Sequence, residues 1–287
     1  MERKAPAKTE RLVDLMLDSG AFSVQFTGEK LDIQKYIEFV KEHKEHLWIY
    51  VNLDVVPGKP NQKNTQEDVE QSAADSYQNL QIMKKAGLAP LPVFHMGERW
   101  YWLEKLLGDG EPYIGLSTNK NLFPKAHRAW LDQAWTIITK KDGTPLVKTH
   151  GFGITTHYLL VRYPWTTCDS TTWSLSAGYG KIFVPAYEGG KPNYFKPPIT
   201  VIVSGVPQKS ASRSSMQYES FGPVLRKHVL EFLDEMKMSI ADVRNDDGAR
   251  RRAIVHYYKM FEKHVVVTKF EHRQRSFGFV MGAHGHG

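Results

Sequence analysis

The chain has 287 residues, 41% of them hydrophobic, a single cysteine and a formal net charge of +7. That is enough chain for one large globular domain with a sizeable core, and no apolar run approaches the roughly 20 residues of a membrane span or forms the start of a signal peptide. One cysteine excludes an intrachain disulfide framework and any multi-cysteine zinc or iron–sulfur site, so a cytoplasmic protein is expected.

After a polar start, residues 12–17 form a short apolar run that ends at Asp18-Ser19-Gly20, the pattern of a buried strand feeding a turn. Ile33, Tyr36, Ile37 and Val40 then recur at helical spacing behind Asp32 as N-cap. The second strand, residues 48–53, ends at Asp54. Thr65 with Asp68 three residues on opens a long helix to about Ala86, with Gly87 suited to its C′ position. The third strand, residues 91–94, ends at His95-Met96-Gly97-Glu98, and a short helix carries Trp100, Leu103 and Leu106. A fourth strand at 113–116 precedes a helix with Trp130, Leu131, Ala134, Trp135 and Ile138 on one face. Further strands are expected at 146–149, ending at His150-Gly151-Phe152-Gly153, at 166–168, ending at Asp169, at 181–184 and at 199–203.

Eight short strands, mostly alternating with helices, predict a parallel sheet closed into a (β/α)₈ TIM barrel over residues 11–205. An open doubly wound sheet is the alternative, weakened by the lack of G-x-G-x-x-G after the first strand. The remaining residues, about 214–287, read as a helical extension of the same single domain. One stripe holds Val224, Leu225, Val229, Phe232, Leu233 and Met236; a helix capped by Ser239 breaks near 245–248 before Arg250, Arg251 and Arg252.

Three carboxylates fall at strand C-terminal ends: Asp18, Asp54 and Asp169. In a barrel those ends share one mouth, where one carboxylate can act as nucleophile and another as general acid and base. Each Asp taken singly also suits a turn or an N-cap. His95 and His150 at strand ends either bind substrate or hydrogen-bond within a polar mouth. Phe22, Trp100, Tyr101, Trp102, Tyr163, Trp165 and Trp173 either stack on a planar base or pack. Arg250–Arg252 either contact phosphates or form a solvated helix face, and the basic balance favours nucleic acid or mere solubility. Cys168 reads as a small packing residue. No H-E-x-x-H or similar spacing points to a metal.

The motifs taken together resemble the tRNA-guanine transglycosylases, a family of (β/α)₈ barrels. Asp18-Ser19-Gly20-Ala21-Phe22-Ser23 resembles their D-S-G-G-F-Q, and Asn52-Leu53-Asp54 matches the strand end of their base-recognising Asp. Pro92-Val93-Phe94-His95-Met96-Gly97 stands where the family has V-Q-G-G, and Tyr113-Ile114-Gly115-Leu116 resembles its G-G-L. His150-Gly151-Phe152-Gly153 resembles M-G-V-G, and Cys168-Asp169-Ser170 falls at F-D-C with the nucleophilic Asp. The order is kept over about residues 11–185. The family's zinc site needs three cysteines and a histidine, so it is expected to be absent, and no nucleic-acid-binding domain of the family's kind is expected in the residues after the barrel. The stretches at 147–153 and 163–171 look closer to the phage-encoded DNA-guanine transglycosylases.

The resemblance implies a transferase that exchanges guanine in DNA for a 7-deazaguanine base, preQ₀, without a cofactor. Asp169 would be the nucleophile and Asp18 the proton shuttle. Ser19, Phe22, Asp54, His95, Gly97, Gly115, Leu116, His150 and Gly151 would form the base pocket, and Arg250, Arg251 and Arg252 would meet the phosphates. A minimal enzyme acting on tRNA keeps the chemistry and changes the polymer. A non-catalytic nucleic-acid-binding barrel and a retaining glycoside hydrolase are the readings from other classes.

Overall fold

The computed structural model describes residues 14–21, 31–56, 64–118, 124–205 and 216–271. Strands and helices alternate along the first two thirds: β1 (Leu15–Leu17), α1 (Ile33–His43), β2 (Leu47–Tyr50), α2 (Gln66–Lys85), β3 (Val93–His95), α3 (Trp100–Gly108), β4 (Tyr113–Ser117), α4 (Pro124–Ile137), β5 (Lys148–Phe152), α5 (His157–Leu160), β6 (Thr167–Cys168), α6 (Thr172–Gly178) and β7 (Lys181–Val184). Then come β8 (Ala186–Glu188), β9 (Lys191–Asn193), β10 (Ile199–Ile202), α7 (Pro223–Asp234), α8 (Ile240–Asn245) and α9 (Asp247–His264). Among the described residues no helix is long and apolar enough to cross a membrane.

The helix limits follow local chemistry. Asp32 caps α1 through its carboxylate and the Gln34 N–H, 2.8 Å apart. At α2 the Thr65 hydroxyl accepts from the Asp68 N–H while the Asp68 carboxylate accepts from the Thr65 N–H, a reciprocal capping box. Glu67 and Asp68 lie at its positive end and Lys84 and Lys85 at its negative end, as the helix dipole favours.

The strands give an α/β fold with parallel pairing. β1 pairs with β2, a parallel bridge between Val51 and Leu91 carries the ladder to the approach of β3, and β3, β4, β5 and β6 follow side by side. Strand order therefore equals sequence order across six parallel strands, without the reversal of a doubly wound sheet. Successive residues of a strand point to opposite faces. One face carries Leu17, Tyr50, Phe94, Ile114, Leu116 and Cys168, which pack with apolar residues of the helices. The other carries Met16, Ile49, Val51, Val93, Tyr113 and Phe152, which pack on one another as a separate inner layer. Continuing the same alternation puts Asp18, His95, His150, Thr167 and Asp169 on this inner face.

Two expectations change. Strand β5 covers Lys148–Phe152 rather than residues 146–149, because the ladder matches Tyr113 with Lys148 and Ser117 with Phe152. His150 and Gly151 are thus strand residues rather than turn residues. The expected run of eight parallel strands stops at six: β10 pairs antiparallel with β7, from Ile199–Val184 to Ile202–Lys181. A parallel return needs a crossover of a dozen or more residues, usually helical. Here the connection is the β8–β9 hairpin, turned by Gly189 and Gly190 at φ 57° and 77°, followed by a Pro-containing segment without a helix. Among the described residues no strand pairing joins β6 to β7 or returns from β10 to β1.

The C-terminal helices cover this antiparallel pair. Val229, Phe232, Leu233, Ala253, Ile254 and Tyr257 pack on Ile182, Val184, Val201 and Val203. Arg250 fastens the unit. Its side chain is 12% exposed, and its guanidinium donates to the carbonyls of Ala177 (2.6 Å), Val243 (3.0 Å) and Arg244 (3.2 Å). Those carbonyls belong to the last turns of α6 and α8, where helices run short of donors; Ala177 also accepts from the Gly180 N–H at 2.9 Å. Arg250 therefore has an internal assignment that the expected phosphate contact did not foresee. Arg251 is spread over Asp247, Ser174 and the Trp173 ring, and Arg252 is 64% exposed beside Asp246.

Arg250→Met is expected to destabilise the fold by about 2–4 kcal/mol, because it removes three charge-assisted hydrogen bonds and takes this donor from the Val243 and Arg244 carbonyls. Arg252→Met is expected to leave the urea midpoint in place. Equal midpoints for both variants in urea unfolding would contradict the division of roles.

Candidate active site

The C-terminal ends of β1, β2 and β3 meet in a buried hydrogen-bonded chain. Ser19 Oγ donates to Asp54 Oδ1 at 2.7 Å. Asp54 Oδ2 lies 2.9 Å from His95 Nε2, and His95 Nδ1 lies 2.9 Å from Glu98 Oε1. All four residues are buried. A neutral imidazole has one donor nitrogen, yet both ring nitrogens face carboxylate oxygens, so the geometry calls for the doubly protonated ring. Desolvation opposes that charge. The hydrogen bonds and charges of Asp54 and Glu98 outweigh it and raise the His95 pKa to about 10. Gly97 makes the turn possible: its φ of 112° lies where side chains strain, and it brings Glu98 back to the histidine three residues earlier.

Asp18 follows β1 on the same inner face and is exposed. Desolvation by the surrounding mouth, then the nearby Asp54 charge, push its carboxyl above the ordinary value. The Ser19 and Gly20 N–H groups pull the other way, and Asp169 adds a further push upward. Asp54 and Asp169 therefore both act on Asp18 electrostatically, although the three come from strands one, two and six.

Asp169 directly follows β6, and its side chain is 57% exposed. Its Oδ1 accepts from the Gly153 N–H at 2.7 Å, across from the turn after β5. Gly153 has a φ of 67°, which suits a glycine there. His150 Nε2 stands 3.8 Å from the same oxygen. A carboxylate that is anchored at one oxygen yet open to solvent is a suitable nucleophile. Cys168 is not: burial pushes its thiol well up, against ionisation, as the packing reading expects.

The remaining expected pocket residues divide. Gly115 leaves the room that the Phe152 ring fills, since a Cβ there would come 2.5 Å from Phe152 Cε2. Gly151 does the same for Cys168, whose Sγ would be 3.0 Å from such a Cβ. Leu116 has its side chain in the core against the helices, so any contact with a ligand is left to its backbone. Phe22 lies outside the described residues. Trp100 and Trp165 pack against the helix-side core, so both belong to packing. Glu98, Gly153, Thr167 and Phe152 join the site without having been singled out from the sequence. The one local signal for Glu98 was its place three residues after His95 across a glycine.

A zinc site of three cysteines and a histidine cannot be built from a chain whose only cysteine is Cys168. Among the described residues no group of three or more His, Cys, Asp or Glu side chains is arranged to hold a metal ion. No family model matches the chain, and no curated protein matches it significantly.

An imidazolium favoured only in the fold stabilises it. That contribution is complete below the ordinary value of 6.5 and is lost as pH rises through about 10. Unfolding free energy is therefore expected to fall between those limits in the wild-type chain, and less steeply in His95→Gln. Denaturant unfolding across that range measures it; identical slopes would contradict a charged His95.

Proposed function

We propose that the chain is a base-exchanging guanine transglycosylase that acts on DNA by double displacement at C1′. The observation that carries this reading is the gathering of Asp18, Asp54 and Asp169 at one set of strand ends, with Asp169 anchored and exposed, Asp18 shifted toward its protonated form and Asp54 buried. A closed (β/α)₈ barrel is the architecture that goes with it; the sequential order of six parallel strands and the collection of polar residues at their C-terminal ends support it.

Asp169 attacks C1′ as the bond to guanine N9 breaks, through an oxocarbenium-like transition state. The bonding pair leaves with guanine, and Asp18 supplies the proton that neutralises the departing ring. The covalent deoxyribosyl–Asp169 ester keeps the strand whole. The incoming 7-deazaguanine, preQ₀ in this reading, gives its N9 proton to Asp18 and attacks C1′, which releases the carboxylate with retained configuration. A raised Asp18 pKa suits both halves, because it narrows the gap between holding and releasing the proton.

Asp54 recognises the base. Two carboxylate oxygens offer about four acceptor positions, of which Ser19 and His95 use two. Two remain for the adjacent ring and exocyclic N–H groups of a guanine-like edge. The immobile imidazolium fixes the carboxylate in place, where the related family has a glutamine. The target guanine leaves the stack or is presented single-stranded. Trp173, four residues after Asp169, carries the Arg251 guanidinium over its ring, and these two with the exposed Arg252 offer aromatic and cationic contacts for the strand.

Asp169→Asn keeps the shape and removes the nucleophile. It is expected to reduce incorporation of labelled guanine into DNA by at least about a thousandfold, and Asp18→Asn by about 10²- to 10⁴-fold. Nucleoside mass spectrometry of DNA and tRNA from cells supplied with preQ₀ identifies the polymer. Modified tRNA with unmodified DNA would move the activity to RNA, and exchange by Asp169→Asn would refute the mechanism.

A further inference from the structure

His150 has no role in the steps above, and its surroundings are unusual. It lies on the inner face of β5, is 2% exposed, and meets the Phe152 ring edge-on with centroids 4.4 Å apart. Its Nδ1 is 2.6 Å from Thr167 Oγ1, and that hydroxyl is 2.5 Å from the Tyr113 hydroxyl. Its Nε2 is buried and makes no hydrogen bond, while Asp169 Oδ1 stands 3.8 Å away. The chain Tyr113, Thr167, His150, Asp169 thus crosses β4, β6 and β5 and ends on the proposed nucleophile.

We propose that His150 is a positioning residue for Asp169, held as the Nε2–H tautomer by Thr167 and Tyr113. The inference rests on the functional reading above for its catalytic consequence, and on geometry alone for the tautomer. With Tyr113 donating to Thr167 Oγ1, the Thr167 hydroxyl proton turns to His150 Nδ1, which accepts. The ring proton then sits on Nε2 and points at the carboxylate. The opposite order would set an Nε2 lone pair against Asp169 Oδ1 with water excluded, an unfavourable pairing of acceptors. The 3.8 Å gap is about 1 Å longer than a hydrogen bond. Such contacts commonly close when substrate binds, and a donated proton there steadies the carboxylate when it departs from C1′. His150 therefore serves the nucleophile from behind rather than the base edge, which differs from the pocket role expected from the sequence.

Nitrogen-15 NMR of the histidine rings tests the tautomer without reference to activity. His150→Asn assigns the signal. The expected result is a proton on Nε2, lost in favour of mixed tautomers in Thr167→Val and shifted in Asp169→Asn. A proton on Nδ1 alone, or a signal indifferent to Asp169→Asn, would overturn the proposal. Two isosteres then separate the catalytic consequence from folding. The carboxamide of His150→Gln can place its nitrogen where Nε2 stood; that of His150→Asn can replace only Nδ1. His150→Asn is expected to lower kcat for guanine exchange by about 10- to 100-fold, the loss of one hydrogen bond to a charged group, with KM for the base unchanged and His150→Gln recovering most of the rate. Equal rates for the two variants, or an effect confined to KM, would overturn it. A wild-type chain without exchange on any DNA or RNA would instead refute the functional reading, and the tautomer would still decide the hydrogen-bonded relay.

Discussion

His95 gives one ring nitrogen to Asp54 and the other to Glu98, in a place that water hardly reaches. Much of the mouth depends on this arrangement. A charged ring buried alone would be very costly, and two buried carboxylates without it would repel each other. Together they hold Asp54 in one orientation, and Ser19 locks its other oxygen. Desolvation raises the pKa of Asp18, and the Asp54 charge and then that of Asp169 add to the same push. The groups proposed for recognition, proton transfer and nucleophilic attack thus share one electrostatic neighbourhood although they lie far apart in the chain.

The backbone supplies the second constraint. Parallel strands in sequence order present alternate residues to the inner layer, so one register fixes several side chains at once. Asp18, His95 and His150 face the same way because each lies two residues from an inner apolar position, Met16, Val93 and Phe152 respectively, and Asp169 lies two residues from Thr167, which pairs with His150. Gly115 leaves room for Phe152 in that layer, and Gly151 leaves room for Cys168 on the opposite face. Helices and C-terminal segments act from outside. Arg250 illustrates this, since it spends its guanidinium on the ends of two helices rather than on solvent.

Much of this was legible in the residue pattern, for identifiable reasons. Short apolar or β-prone runs ending in Asp marked β1, β2 and β6, and caps such as Thr65 with Asp68 fixed a helix start to the residue. The bounds of β5 were misplaced because Leu146 and Val147 are apolar and His150 and Gly151 are not, whereas pairing with β4 decides the strand. The direction of β10 was hidden because an apolar run carries no sign of which neighbour it will pair with. Burial of Arg250 was hidden for a similar reason: three adjacent arginines look alike until the helix is packed. The contacts of His95 with Glu98 and of His150 with Thr167 arise from a turn and from strand register, neither of which a local pattern states.

The central claim is a covalent bond between Asp169 and C1′ of a deoxyguanosine. The most direct test incubates the protein with a single-stranded DNA oligonucleotide, denatures the mixture and measures the intact mass. The account predicts a species with the mass of protein plus oligonucleotide less one guanine, attached through Asp169 and missing in Asp169→Asn. Base exchange without such a species, or the same adduct in Asp169→Asn, would contradict it.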